Sequence, residues 1–193
     1  MSHNFYNKNS QQFFHDTFTV DMGAIYARFL KNLPEGCKIL DMGCGSGRDA
    51  YYFHSKGFEV EAFDASHEMV RLASEATGLK INQSTFENYI TNHPFDGIWA
   101  CASLLHLPKM QHPKIFLKYY KTLNLGGKFY MSFKYGDGEY EKDGRHFSCY
   151  NELSFGHFLT EVLKNYDAEI WVSDDVRKER KSEKWLNVLL SKL

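Results

Sequence analysis

The chain has 193 residues, 43% hydrophobic and 24% charged, with 23 Lys and Arg against 24 Asp and Glu for a formal net charge of -1. That is enough apolar material for one core, which excludes a disordered chain, and a free-standing nucleic-acid binder would show a basic excess that is missing here. No apolar run approaches a membrane span, no charged-then-apolar leader opens the chain, and the scattered Cys37, Cys44, Cys101 and Cys149 include no C-x-x-C pair. We therefore expect no membrane association, no metal and a reducing cytoplasmic setting. Aromatic residues are in excess, with 16 Phe, 12 Tyr and 3 Trp.

Residues 1–20 alternate polar and aromatic side chains without Gly or Pro. Asp21 then opens an amphipathic helix whose Met22, Ile25, Tyr26, Phe29, Leu30 and Leu33 form one stripe, ended by Pro34-Glu35-Gly36. Residues 1–33 read as an N-terminal helical lid or extension within a single domain spanning 1–193. Lys38–Met42 predicts a short buried strand, Gly43–Gly47 a tight turn, and Arg48–Lys56 a helix closed by Gly57. Phe58–Phe63 predicts a second strand ending at Asp64, followed by a helix capped by Ser66 and closed by Gly78. Leu79–Gln83 is a weaker strand and Phe95–Cys101 a stronger one. Gln111–Asn124 predicts a helix, Lys128–Lys134 an alternating strand, Gly136–Arg145 a Gly- and charge-rich connection, and Glu152–Leu163 a further helix. Ala168–Val172 reads as a strand and Lys184–Leu190 as a strand or helix. Strands alternating with helices imply a mostly parallel sheet covered on both faces, with the ligand beyond the carboxyl ends of the strands.

The Gly-rich turn after the first strand is where chemistry concentrates. A dinucleotide fingerprint needs Gly where Arg48 stands, and a phosphate-cradling P-loop needs a Gly-Lys-Ser/Thr that is absent. Asp41 precedes the turn by two residues, where a carboxylate repels a pyrophosphate and attracts an ammonium group. Asp64 ends the second strand, 21 residues beyond Gly43, where a carboxylate can accept hydrogen bonds from ribose hydroxyls. A nucleoside cofactor with an amino-acid ammonium and no phosphate fits both acids, and S-adenosylmethionine is such a cofactor.

Ile39-Leu40-Asp41-Met42-Gly43-Cys44-Gly45-Ser46-Gly47 resembles motif I of the class I S-adenosylmethionine-dependent methyltransferases. Phe63-Asp64-Ala65-Ser66 with Met69 resembles their acidic second-strand motif, Phe95 to Ser103 their fourth-strand motif, and Leu125-Gly126-Gly127-Lys128-Phe129 the turn into their fifth strand. Within the class the chain most resembles small bacterial methyltransferases related to tellurite resistance, through Ser132 to Gly136, Asp143-Gly144-Arg145 and Trp185-Leu186-Asn187. The resemblance implies an α/β, Rossmann-like, doubly wound seven-stranded sheet, mostly parallel with an antiparallel last strand. It implies that Asp41 and the turn Gly43, Cys44, Gly45 and Gly47, with Arg48 after it, hold the methionine end. Asp64 would take the ribose, Ala65 and Met69 would border the adenosine, and Thr85 and Phe86 would lie at the adenine edge. Many members have an acid where Thr85 stands. Ala100 and Cys101 would line the sulfonium end through backbone groups.

On the acceptor side, His106 follows the fourth strand and is either a general base of suitable pKa or a packing or positioning residue. Lys134, Tyr135, Arg145 and Arg177 are candidate substrate residues. If the three cations converge with Arg48, the pocket is cationic and a small anionic acceptor follows. Tyr6 is the expected cofactor contact of the N-terminal segment, and Tyr6, Phe14, Phe86 and Tyr135 are the aromatics expected around a small closed pocket. The reading is methyl transfer from S-adenosylmethionine to a small, anionic acceptor by a monomer or homodimer. A methyltransferase acting on RNA or protein, or a nucleotide-binding oxidoreductase, are the alternatives.

Overall fold

In the computed structural model, which describes residues 2–177, 180 and 182–193, the short apolar runs become the centre of a parallel sheet. Strands β1 (Lys38–Met42), β2 (Glu59–Asp64), β3 (Ile81–Gln83), β4 (Phe95–Ala100) and β5 (Leu123–Tyr135) stand in the order β3-β2-β1-β4-β5, each parallel to its neighbour. A hairpin of β6 (Glu139–Lys142) and β7 (Arg145–Tyr150) follows, then β8 (Asp167–Asp174) and β9 (Lys184–Ser191). β9 pairs antiparallel with both β5 and β8. Seven strands thus form the expected mostly parallel sheet with its reversed final strand, and the hairpin raises the count to nine.

The hairpin lies where the sequence predicts an irregular connection. Its turn is Asp143-Gly144, with φ of 53° and 71°. Both values are positive, as the two-residue turn that matches strand twist requires, and Asp-Gly supplies them at low cost. β7 meets the main sheet only at Lys134↔Cys149 and Tyr135↔Tyr150, so the hairpin projects beyond the carboxyl end of β5.

Helices α1 (His3–Lys8), α2 (Ser10–Thr17), α3 (Gly23–Leu30), α4 (Arg48–Ser55), α5 (His67–Thr77), α6 (His112–Thr122) and α7 (Glu152–Val162) complete the chain. α3 starts two residues later than predicted because Asp21 folds back to accept the Gly23 N–H at 2.8 Å. The faces of β4 and β5 alternate between two cores. Ile98, Phe129, Met131 and Phe133 bury with Phe116 and Phe155 on the α6 and α7 side. Trp99 and Tyr130 bury with Tyr26, Phe29 and Phe53 on the α3 and α4 side, the Trp99 and Tyr130 rings stacked at 4.1 Å. Most of the aromatic excess is therefore core.

α1 and α2 do not join the sheet. They lie across the carboxyl ends of its strands and are pinned at points far apart in sequence. The Ser66 hydroxyl, which caps α5 by accepting the Met69 N–H, donates to Asn7 Oδ1 at 2.6 Å. The Thr17 hydroxyl lies 3.0 Å from Ser46 Oγ in the Gly-rich turn, and the His146 N–H of β7 donates to Ser2 Oγ at 3.2 Å.

Candidate active site

β1 delivers the chain into the Gly-rich turn, and the turn is fastened to the end of β2. Gly43 and Cys44 both donate their N–H groups to the Phe63 carbonyl, at 2.8 and 3.0 Å. Gly43 has φ of 72°, and a Cβ there would stand 2.7 Å from Ser103 Cβ, so only glycine lets this turn approach the loop after β4. The Gly45 N–H donates to Asp64 Oδ2 at 2.9 Å, and the Ser66 N–H donates to Asp64 Oδ1 at 2.8 Å. Asp64 thereby joins the turn to the start of α5 while keeping lone pairs for a ligand. Burial raises its carboxyl above the usual range, against the pull of the backbone N–H groups of Ser66, Gly45 and Ala65.

A cavity of about 800 Å³ opens between this junction, the α1–α2 cover, the loop after β4 and the hairpin. Its size is within the range of about 300–1,000 Å³ common for small-ligand sites. On one side lie Gly43, Cys44, Gly45, Arg48, Asp64, Ala65, Met69, Thr85 and Phe86; on the other lie Cys101, His106, Lys134, Arg145 and Arg177; Tyr6 spans the two from above. Asp41, Gly47 and Ala100 are not on its wall. Asp41 is 1% exposed beneath the turn, and its Oδ2 has no hydrogen-bond partner. Burial pushes this carboxyl well up, Asp49 adds to the shift, and Arg48 opposes it. The expected direct aim of Asp41 at a ligand is corrected accordingly: its carboxyl lies beneath the turn and off the cavity wall. Gly47 instead turns the chain into α4.

Two expected wall aromatics change. The Tyr135 ring is 41% exposed and its hydroxyl donates to Glu152 at 3.1 Å, because β5 alternation turns it away from the face that carries Ser132 and Lys134. Phe14 stacks on Phe18 at 4.7 Å, and its neighbour Phe13 lines the cavity, touching Tyr6 edge-on at 4.9 Å. Phe86 takes its place through its backbone. Its carbonyl accepts from Lys118 Nζ and the Tyr119 hydroxyl, both at 2.9 Å, so α6 holds the loop that carries Thr85.

His106 sits in a 3-10 turn after β4. Its Nδ1 lies 2.7 Å from the His146 carbonyl, which accepts only, so Nδ1 carries the proton. Nε2 is then an acceptor, and the Tyr6 hydroxyl donates to it at 2.6 Å. Burial lowers His106 to about 4, with Arg145 pushing the same way. The suitable basicity expected of this residue is absent: it is a neutral imidazole whose free nitrogen is already engaged. Burial also lowers His112, held among the Leu104 and Leu107 carbonyls and the Tyr150 hydroxyl, to about 4.

These two histidines predict acid sensitivity. An unfolded chain binds protons near the ordinary histidine value of about 6.5, whereas the fold excludes them until about pH 4. Their contribution to stability is complete above about pH 6.5 and declines as pH falls towards 4. Urea midpoints of the wild type and His106→Gln should diverge at neutral pH and converge towards pH 4.5. A constant difference across that window would contradict a buried neutral imidazole at this position.

The expected cationic pocket is also revised. Arg48 donates to Asp49 through Nε at 2.6 Å and Nη2 at 2.9 Å. Arg177 donates to Asp175 through Nε at 2.8 Å, Nη2 at 2.6 Å and its backbone N–H at 3.0 Å, and Trp185 Nε1 adds a fourth hydrogen bond to the same carboxylate at 3.0 Å. Lys134 pairs with Glu183 and lies 4.1 Å from the centre of the Trp185 ring; burial lowers its ammonium to about 8, opposed by Asp175. Each of these cations carries its own acid. Phe5, Phe147, Asp175 and Trp185 are wall residues that sequence reasoning missed. Only the Asp-Gly turn hinted at Phe147, through the hairpin it builds.

Comparison with known proteins follows this geometry. Residues 39–127 match the family model described as "Methyltransferase domain". Phosphoethanolamine N-methyltransferase 1 of Zea mays is 34% identical over 109 residues, 52% of this chain and 21% of that protein. The probable S-adenosyl-L-methionine-dependent methyltransferase TehB of Haemophilus influenzae is 26% identical over 96 residues, 47% of this chain and 34% of that protein. The chain spans about a fifth of the length of the plant relatives it matches. In structure, the Burkholderia thailandensis 1,6-didemethyltoxoflavin-N1-methyltransferase, solved with 1,6-didemethyltoxoflavin and S-adenosylhomocysteine, has a TM-score of 0.75 at 18% identity, covering 98% of this chain and 88% of that one. Haemonchus contortus phosphoethanolamine N-methyltransferase 2, solved with S-adenosyl-L-methionine, has a TM-score of 0.78 at 15% identity, covering 100% of this chain and 60% of that one. Residues 39–127 thus match a methyltransferase domain, the sequence is similar to TehB over 96 residues, and the fold is the one these S-adenosylmethionine-dependent methyltransferase structures share.

Proposed function

We propose that the protein binds S-adenosylmethionine and directs its methyl group to a small acceptor carrying negative charge. The observation that carries this reading is one cavity with a turn–Asp64 junction on one side and the Tyr6–His106 pair on the other. The residues fit the cofactor. Asp64 can accept from ribose hydroxyls, Ala65, Met69, Thr85 and Phe86 bound the adenosine side, and Tyr6 closes the space above. The turn at Gly43 and Gly45 lets the methionine end approach the backbone, with Cys101 beside the sulfonium, while Arg48 stays paired with Asp49. Asp41, buried with an unpartnered oxygen, leaves an acceptor under the turn, and a bound ammonium group would draw its carboxyl back towards the charged form. A relative and a structural neighbour whose names include phosphoethanolamine and 1,6-didemethyltoxoflavin support a small acceptor.

S-adenosylmethionine supplies an electrophilic methyl group on a positively charged sulfur. The chain's part is binding, alignment and exclusion of water. Tyr6, its proton committed to His106, keeps oxygen lone pairs that can orient an N–H or O–H of the acceptor. The hydrogen bond to the His146 carbonyl fixes the His106 ring, so the pair is a positioning device. α1 and α2 act as the cover, and residues 1–33 serve the domain as its lid. Among the described residues no helix is long and apolar enough to cross a membrane.

Calorimetry with S-adenosylmethionine, S-adenosylhomocysteine and NAD tests the cofactor. The first two should bind and NAD should not; binding of NAD alone would remove the reading. Labelled methyl transfer should enter a small-metabolite extract and leave an RNA pool unlabelled.

A further inference from the structure

The cations at the acceptor end are not equivalent, and the difference bears on the acceptor's charge. Lys134 and Arg177 each face a close acid. Arg145 is paired more weakly: its single carboxylate neighbour among the described residues is the exposed Asp143, which accepts from Nη2 at 3.4 Å. Yet Arg145 is well withdrawn from water, with 18% of its side chain exposed. Its guanidinium lies 3.9 Å from the centre of the Phe5 ring and 5.2 Å from that of Phe147, and its Nε is buried without a hydrogen-bond partner. A desolvated cation without a matched acid gains more from an anionic ligand than one already neutralised.

Its position places that gain beside the reacting zone. Arg145 neighbours Tyr6, whose hydroxyl is bonded to His106. Along the wall built from β5, the hairpin and residues 173–185, five cations face four carboxylates among the described residues, an excess of one. The guanidinium packs on the Phe5 ring, and its planar fork of donors suits the two coplanar oxygens of a carboxylate.

We infer that Arg145 selects acceptors bearing a single negative charge, a carboxylate, over phosphate monoesters and neutral analogues. This rests on the methyl-transfer reading above and adds the acceptor's chemical class to it. Because Phe5 belongs to α1, the side chain that reads the acceptor also touches the cover.

The test uses the full chain saturated with S-adenosylhomocysteine. Small carboxylic acids bearing an amine, hydroxyl or thiol are titrated beside their matched primary amides and matched phosphate monoesters, with binding read by ligand-observed NMR. Carboxylates should bind about ten-fold or more tightly than either counterpart. Arg145→Gln should abolish that preference and leave S-adenosylhomocysteine affinity within about two-fold, and Arg145→Lys should restore part of it. Stronger binding of phosphate monoesters, equal binding of amides, no binding of any carboxylate, or a preference that survives Arg145→Gln would each overturn the proposal. Failure of S-adenosylhomocysteine itself to bind would instead strike the reading beneath it.

Discussion

Asp49→Ala is expected to lower unfolding stability by about 3–5 kcal/mol, the cost typical of removing one partner from a buried ion pair. Asp49 is 5% exposed and accepts hydrogen bonds from four donors: Arg48 Nε, Arg48 Nη2, the Tyr26 hydroxyl and Trp99 Nε1. Burial alone would raise its carboxyl, but Arg48, Tyr26 and Trp99 together outweigh that and hold it below the ordinary range. Alanine would strand a guanidinium, an indole N–H and a phenol in the α3–α4 core. Arg48 keeps some contact with the cavity, which favours the lower half of the range. In a protein of this size the thermal midpoint should fall on the order of 10 °C. Urea unfolding at pH 7 measures the effect, and a loss below about 1 kcal/mol would mean that the four donors are satisfied elsewhere.

Asp64→Ala should act first on ligand binding. The carboxylate holds the turn to α5 through Gly45 and Ser66, and on the proposed reading it also accepts from the ribose. Hydrogen bonds to charged groups contribute about 1.5–3 kcal/mol each, so losing the ribose contacts should weaken S-adenosylhomocysteine binding on the order of 100-fold. Two backbone donors lose their acceptor as well, at about 1–3 kcal/mol of fold stability. Calorimetry and urea unfolding on one sample separate the effects. Unchanged affinity in a destabilised protein would leave Asp64 as a structural tie alone.

The parallel sheet was legible in the sequence because its strands are short apolar runs punctuated by glycine or acid. Lys38–Met42 ends at the Gly turn, Glu59–Asp64 at its carboxylate, and both carry the expected boundaries within a residue or two. The Gly-rich turn and Asp64 were legible for the same reason, since a tight turn and a strand-end acid leave strict residue requirements. What escaped depends on contacts between distant segments. β5 begins at Leu123 because pairing with β4 and β9 overrides the breaking tendency of Gly126-Gly127. Side-chain charge was the least legible property. Arg48, Lys134 and Arg177 read as free cations along the chain, yet the fold aims the neighbouring Asp49 and Asp175 at the two guanidiniums and brings Glu183 to Lys134 from far along the sequence. The basicity of His106 likewise follows from burial, which its sequence neighbours do not reveal.

The β6–β7 hairpin couples the acceptor end of the cavity to the central core. Two residue pairs at the tip of β5 join it to the sheet, while Phe147 and Arg145 face the acceptor end of the cavity. Phe147 and Tyr150 are buried in the main core, Tyr150 packs on Phe133, Phe155 and Phe158, and the His146 carbonyl holds the His106 ring. A change within residues 136–150 is therefore expected to shift fold stability and the Tyr6–His106 pair together.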